Sequence, residues 1–271
     1  MRRRPAGFTL AEMAIVLLVV GLLLGSVVSL VSTQLEARNI AETQSRLDQI
    51  KDALIGFAIV NGRLPCPATN TSAGVETPTG GICTYPHDGF VPARTLSFYP
   101  QSTSGFAVDA WNNPIRYAVS RVPTVHLTPT AWYDTFTTIP TTSAGIKYQV
   151  QTNGFAAAQL LPDLRVCSDA TGITNAGTAN AACAANKDIT DTKSVVAIIY
   201  SVGKNFATVG AAGIDEAANW TPNPADPTKL TTLSRDRVFV SHTPTPAFDD
   251  LVVWIPVTTL FSRMIAAGTL P

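Results

Sequence analysis

The sequence predicts an α+β fold: one long N-terminal helix, with an antiparallel β-sheet packed on its second half. Three observations carry this. No proline occurs between Pro5 and Pro65, and a helix tolerates none in its interior. Within that stretch Ile40, Leu47, Ile50, Leu54, Phe57 and Ala58 recur at spacings of three, four and seven, which places an apolar stripe on one helical face. From Pro65 onward, where 18 of the 19 prolines lie, this periodicity gives way to short β-branched and aromatic runs between Gly-, Pro- and Asn-rich turns.

Taken in order, the chain opens with Arg2, Arg3 and Arg4 ahead of an apolar run. From Met13 to Leu35 there is no charged residue, a run of 23 positions. As a helix it is about 35 Å long, enough to cross the hydrocarbon core of a bilayer. The arginines predict a cytoplasmic N-terminus, with the remainder of the chain on the far side. A cleaved secretory signal has a shorter apolar region that ends in a small-x-small site. Here the run continues into the amphipathic stretch, and Gly62 and Pro65 are the stop signals. The predicted organisation is a leader over 1–7, a transmembrane helix over 8–35, its amphipathic continuation over 36–62 and a β-rich globular domain over 63–271. Predicted strands are 115–122, 146–152, 194–203, 237–242 and 251–257, with Pro256 marking an edge or a strand end. A short helix closes the chain, with Thr258 or Thr259 as its cap and Gly268 as its end.

Composition narrows the function. Net charge is zero and charged residues are only 14%, which argues against a nucleic-acid partner. Cys66, Cys83, Cys167 and Cys183 fall as two local pairs, 17 and 16 positions apart, with no zinc-ligand spacing to any histidine. Four cysteines allow three connectivities. Cys66–Cys83 and Cys167–Cys183 is the pairing in which each bond closes its own polar loop, at about 3 kcal/mol per loop in the chain-entropy model. Unpaired thiols in a cytosolic protein are the alternative.

The apolar run holds a contradiction. Glu12 lies near its start, and a carboxylate deep in a bilayer-spanning helix is unfavourable by about 2.5–3.5 kcal/mol. The surrounding residues, "GFTLAE" over 7–12 behind a basic leader, resemble the N-terminal signal of type IV pilins and type II secretion pseudopilins. The resemblance covers roughly the first fifth of the chain. It implies cleavage by a prepilin peptidase between Gly7 and Phe8, N-methylation of the new N-terminal Phe8, and a bacterial inner-membrane subunit whose C-terminal domain is periplasmic until it joins a filament. It further implies that Glu12 meets the Phe8 amine of a neighbouring subunit as helices pack. An ion pair of that kind in a low-dielectric bundle offsets the cost of the buried charge. The implied partners are prepilin peptidase, other pilin or pseudopilin subunits and the membrane.

A second stretch, "DAWNNPIRY" over 109–117, resembles the D-P-W-G-x-P-Y-x-Y segment of major pseudopilins at Asp109, Trp111, Pro114 and Tyr117, and departs from it at Ala110, Asn112 and Ile115. "YSVGKN" over 200–205 resembles a turn of the same family. Physically, both read as turns beside strands. Major pseudopilins hold calcium in a C-terminal loop, but Asp215, Glu216, Asp249 and Asp250 do not reproduce its spacing. They read as solvated turn residues, and neither a metal nor another cofactor is expected. His87, His126 and His242 are isolated and read as surface or turn residues. Trp111, Trp132, Trp220 and Trp254 read as core or loop anchors. No nucleophile elbow, zinc-helix or phosphate-loop pattern occurs, so the expectation is a structural subunit rather than an enzyme, with no small-molecule substrate. A membrane-anchored periplasmic binding protein or enzyme is the alternative. The exposed loops 66–100 and 167–191 are the expected contact surfaces.

Overall fold

A computed structural model of the chain describes residues 7, 9–123, 132–173, 182–205, 213–219, 238–245 and 247–271, and within them the side chains of all but 23–32, 123, 132 and 133. The chain is α+β, with an N-terminal helix and an antiparallel sheet. It divides into two compact units, residues 1–42 and 43–271.

The first helix, α1, runs Leu10–Asn61. In the first unit its described side chains over 10–22 all face solvent, among them Leu10, Ile15, Leu17, Leu18 and Leu22. Among the described residues no helix is long and apolar enough to cross a membrane. Ten positions of the uncharged run, 23–32, lie outside the described side chains, so the expected span over 8–35 rests on the sequence. In the second unit Leu47, Ile50, Leu54 and Ala58 are fully buried, as the spacing of the apolar stripe requires. The helix ends where Gly62 takes φ +67°, a left-handed conformation that glycine adopts without strain.

The second unit is built on a four-stranded antiparallel sheet in the order β1 (Gly89–Phe90), β2 (Arg116–Val119), β6 (Val195–Ser201) and β8 (Leu251–Pro256). All seven residues of β6 are buried, as in a central strand covered on both faces. Its hydrophobic run is therefore continuous rather than alternating. A parallel pair, β5 (Arg165–Cys167) with β7 (Val238–Val240), supplies Val166 and Phe239 to a buried cluster with Ala118, Ile198, Tyr200 and Val252 of the main sheet. A small pair, β3 (Val122–Pro123) with β4 (Trp132–Tyr133), stands beside them. Cys66–Cys83 and Cys167–Cys183 are disulfides, with Cα–Cα separations of 5.3 and 5.6 Å.

Two local expectations are corrected. "IKYQVQT" is not a strand: Ile146–Asn153 forms a helix, α2, between Gly145 and Gly154, both with positive φ. Ile146 and Val150 are its buried residues, and their spacing of four suits one helical face as well as it suits a β-branched run. The last helix, α4, spans Val257–Ala266 with Pro256 as N-cap and no side-chain cap bond, so neither Thr258 nor Thr259 plays that part. Pro256 already supplies a preset φ at the helix start. Gly268, at φ +74°, follows the helix end, and its N–H donates to the Ile265 carbonyl.

Candidate functional site

Phe8 and the leader residues 1–6 lie outside the described residues. Gly7 is exposed, with open space around it. The next residues form a closed arrangement. Thr9 donates from its backbone N–H and from its hydroxyl to Glu12 Oε2, each at 2.8 Å, and the Glu12 N–H donates to Thr9 Oγ1 at 3.3 Å. This is a reciprocal capping box, which satisfies N–H groups that the first turn of a helix cannot pair internally. In the single chain, then, Glu12 closes the start of α1. The T-x-x-E spacing of "TLAE" is the signal by which the sequence announces that cap.

The two weaker motifs come together in the second unit. Asp109 is buried and accepts hydrogen bonds from the Trp111 N–H (2.9 Å), the Asn113 N–H (2.8 Å) and the Ser201 hydroxyl (2.6 Å). The Asn113 side-chain amide donates to the Gly203 carbonyl at 2.7 Å. The same turn is held to α1: Arg46 Nη1 donates to the Val108 and Asp109 carbonyls at 2.8 and 2.6 Å, and the Ala110 N–H donates to Thr43 Oγ1 at 3.1 Å. Burial pushes the Asp109 carboxyl up to about 6, against the opposing pull of its three donors and the Arg46 charge. Tyr117 is fully buried, donates to the Pro65 carbonyl at 3.1 Å, and is held well above the ordinary phenol range, chiefly by burial.

Beyond this turn lies a group of acids. Glu216 of α3 (Ile214–Asn219) and Asp249 and Asp250, just before β8, each offer a ligand oxygen, all within 4.8 Å of one another. All three are buried, which corrects their reading as solvated turn residues. Asn205 Nδ2 donates to both Glu216 oxygens at 2.9 and 2.8 Å, the Lys204 N–H donates to Asp249 Oδ2 at 2.9 Å, and Asn219 Nδ2 donates to Asp250 Oδ2 at 2.8 Å. Asp249 Oδ1 is buried and has no hydrogen-bond partner among the described residues. Gly203 takes φ +66°, and a Cβ there would meet the Asp249 carboxylate at 2.3 Å, so the turn admits only glycine. Burial raises the Glu216 carboxyl, and the charge of Asp249 adds to the shift. Three convergent carboxylates suit a hard divalent cation such as calcium; without one, burial and the neighbouring Asp249 charge favour the protonated form of Glu216. The sequence reads these acids as turn residues because 33 positions separate Glu216 from Asp249 and nothing local shows that they meet.

The remaining candidates are placed as follows. His87 is not a surface residue: it is 3% exposed, and its Nε2 lies 3.6 Å from Asp163 Oδ2. Asp88 beside it pairs with the fully buried Arg116 at 2.9 Å. His242 stacks on Phe248, and its Nε2 lies 3.4 Å from Asp215 Oδ2. Asp215 also accepts the Ala170 N–H at 2.6 Å. Trp111 and Trp254 are half-buried. His126, Trp220 and the side chain of Trp132 lie outside the described residues, as does part of the 167–191 loop.

Comparison with protein families places the start of the chain. Residues 2–28 match the prokaryotic N-terminal methylation motif. The chain thus carries the prepilin-type cleavage and methylation signal of type IV pilins and pseudopilins. Neither the curated proteins nor the solved structures yield a match.

Proposed function

We propose that the protein is a structural subunit of a type IV pilus or a type II secretion pseudopilus, of the minor pilin or pseudopilin kind. The observation that carries this is the methylation motif over 2–28, a stretch that includes Gly7, Phe8 and Glu12. On this reading the chain inserts in the bacterial inner membrane through residues 8–35, with its leader cytoplasmic and residues 63–271 periplasmic. Prepilin peptidase cuts between Gly7 and Phe8 on the cytoplasmic side, and Phe8 is N-methylated. A singly methylated amine keeps its positive charge, and it pairs with Glu12 of the next subunit as helices dock in register. The size of the chain and its long loops support the assignment to a minor rather than a major subunit.

The decisive measurement is the intact mass of the N-terminus, from cells with and without prepilin peptidase. The expected result is a chain that begins at N-methylated Phe8 only when the peptidase is present. A chain that begins at Met1 in both cells, or one cut after the apolar run, overturns the reading.

A further inference from the structure

The main sheet ends in two unlike edges. β1 is a two-residue strand, whereas β8 runs for six residues. The hydrogen bond from the Ser120 N–H to the Val196 carbonyl fixes the phase of the ladder: even-numbered residues of β6 bond to β2, and odd-numbered ones face β8. By register, Leu251, Val253 and Ile255 of β8 then lie opposite Ser201, Ile199 and Ala197 as the bonded pairs. The backbone N–H and C=O of Val252 and Trp254 point away from the sheet. Among the described residues, no backbone group takes them up. Val252 is 8% exposed over the whole residue, and Trp254 is half-buried. Unpaired backbone groups in such a place are unfavourable until a partner supplies the missing bonds.

A groove of 340 Å³ follows this edge, lined by Gln44 and Lys51 of α1, Val252, Trp254 and Pro256 of β8, and Thr259 of α4. Lys51 is the one charged residue in that lining, and among the described residues it has no carboxylate within ion-pair distance.

We propose that this edge is a strand-addition site, which takes an extended segment of a second polypeptide with a carboxylate side chain opposite Lys51. Main-chain bonds to Val252 and Trp254 supply affinity, and the side chains that line the groove supply selectivity. The indole of Trp254 offers an apolar plate to every second residue of the incoming strand. Pro256 has no N–H and so marks where the added ladder stops. Lys51 gives the segment its sign. The inference rests on the sheet alone and stands apart from the filament reading. Lysine and proline are also the residues with which proteins guard a bare edge against pairing, and the test separates the two roles.

The test uses the full chain in detergent micelles and a short synthetic peptide that alternates Thr and Val around one central Glu. Amide exchange is followed residue by residue. Peptide binding is expected to slow exchange at Val252 and Trp254 about tenfold, a change of about 1.4 kcal/mol, and to leave Val253 and Ile255 unchanged. A peptide with Lys in place of Glu is expected to bind about fivefold more weakly, and Lys51→Glu is expected to reverse that preference. Three results overturn the proposal. The first is no slowing at Val252 and Trp254 at saturating peptide. The second is exchange at those two amides already as slow as at Ile255 in the chain alone, which means its own residues cover the edge. The third is an unchanged peptide preference in Lys51→Glu.

Discussion

Glu12 and Asp109 do the same local job in opposite surroundings. Each is a carboxylate that accepts hydrogen bonds within a few residues of itself and so fixes a turn of backbone: Glu12 at the start of α1, Asp109 in the turn before β2. Glu12 is fully exposed in the single chain, while Asp109 is 2% exposed and bonded to Ser201, 92 positions away. The difference teaches how burial changes the worth of a carboxylate. An exposed acceptor can be given up for another partner at little cost, because water takes over the donors it leaves. A buried acceptor cannot leave without stranding every donor that it serves.

The comparison is broken most completely at Glu12. Glu12→Ala is expected to abolish filament incorporation, read by fractionation of sheared filaments. Glu12→Gln sharpens it, since glutamine preserves the capping box but not the charge. Failure of both variants assigns the assembly role to the charge; a normal Glu12→Gln assigns it to the cap and removes the Phe8 ion pair from the account. At Asp109, replacement by Ala leaves the Trp111 and Asn113 N–H groups and the Ser201 hydroxyl without their acceptor. It is expected to cost about 3 kcal/mol of stability, measured by denaturant unfolding.

Protonation separates the two carboxylates again. Because burial raises the Asp109 carboxyl from 3.8 to about 6, the folded chain holds its proton at a pH where the unfolded chain has lost it. Its contribution to stability is therefore greatest below about pH 4 and is lost as pH rises through about 6. Asp109→Asn is expected to flatten the stability profile over that window, by at most about 3 kcal/mol. The buried acids Glu216, Asp249 and Asp250 extend the comparison to a site with more charge than its donors offset. Calcium is expected to raise the melting temperature of the wild type by a few degrees and that of Glu216→Gln by much less; equal melting with calcium and with chelator assigns the cluster to shared protons instead. The smallest effect is at Thr9. Thr9→Ala is expected to speed amide exchange over residues 10–12 by roughly fivefold, the equivalent of about 1 kcal/mol.

Much of the architecture was legible because its signals are local. The absence of proline and the stripe of Leu47, Ile50, Leu54 and Ala58 mark α1, and the β-branched run over 194–203 marks the central strand β6. The capping box is also written in "TLAE", at the three-residue spacing of Thr9 from Glu12. Ile146–Asn153 was misread for a physical reason: a short stretch of β-branched and aromatic residues fits either period, and the two flanking glycines allow a helix to start and stop there. His87 and the paired acids were misread because a polar residue in a turn gives no local sign that other segments will bury it.

By itself the sequence determined what local signals decide: the methylation signal at the start of the chain, the proline-free course of α1, the strands β2, β6 and β8 of the main sheet and the Pro256 end of β8. Only the tertiary structure decided which distant groups meet. It set Asp109 on Ser201, gathered Glu216 with Asp249 and Asp250, drove His87 to within 3.6 Å of Asp163 and, among the described residues, left the outer edge of β8 without a strand partner. Hydrogen-bond partners, burial and the proton affinity of an acid depend on what the rest of the chain brings to a residue, and none of these is a property of its neighbours in sequence.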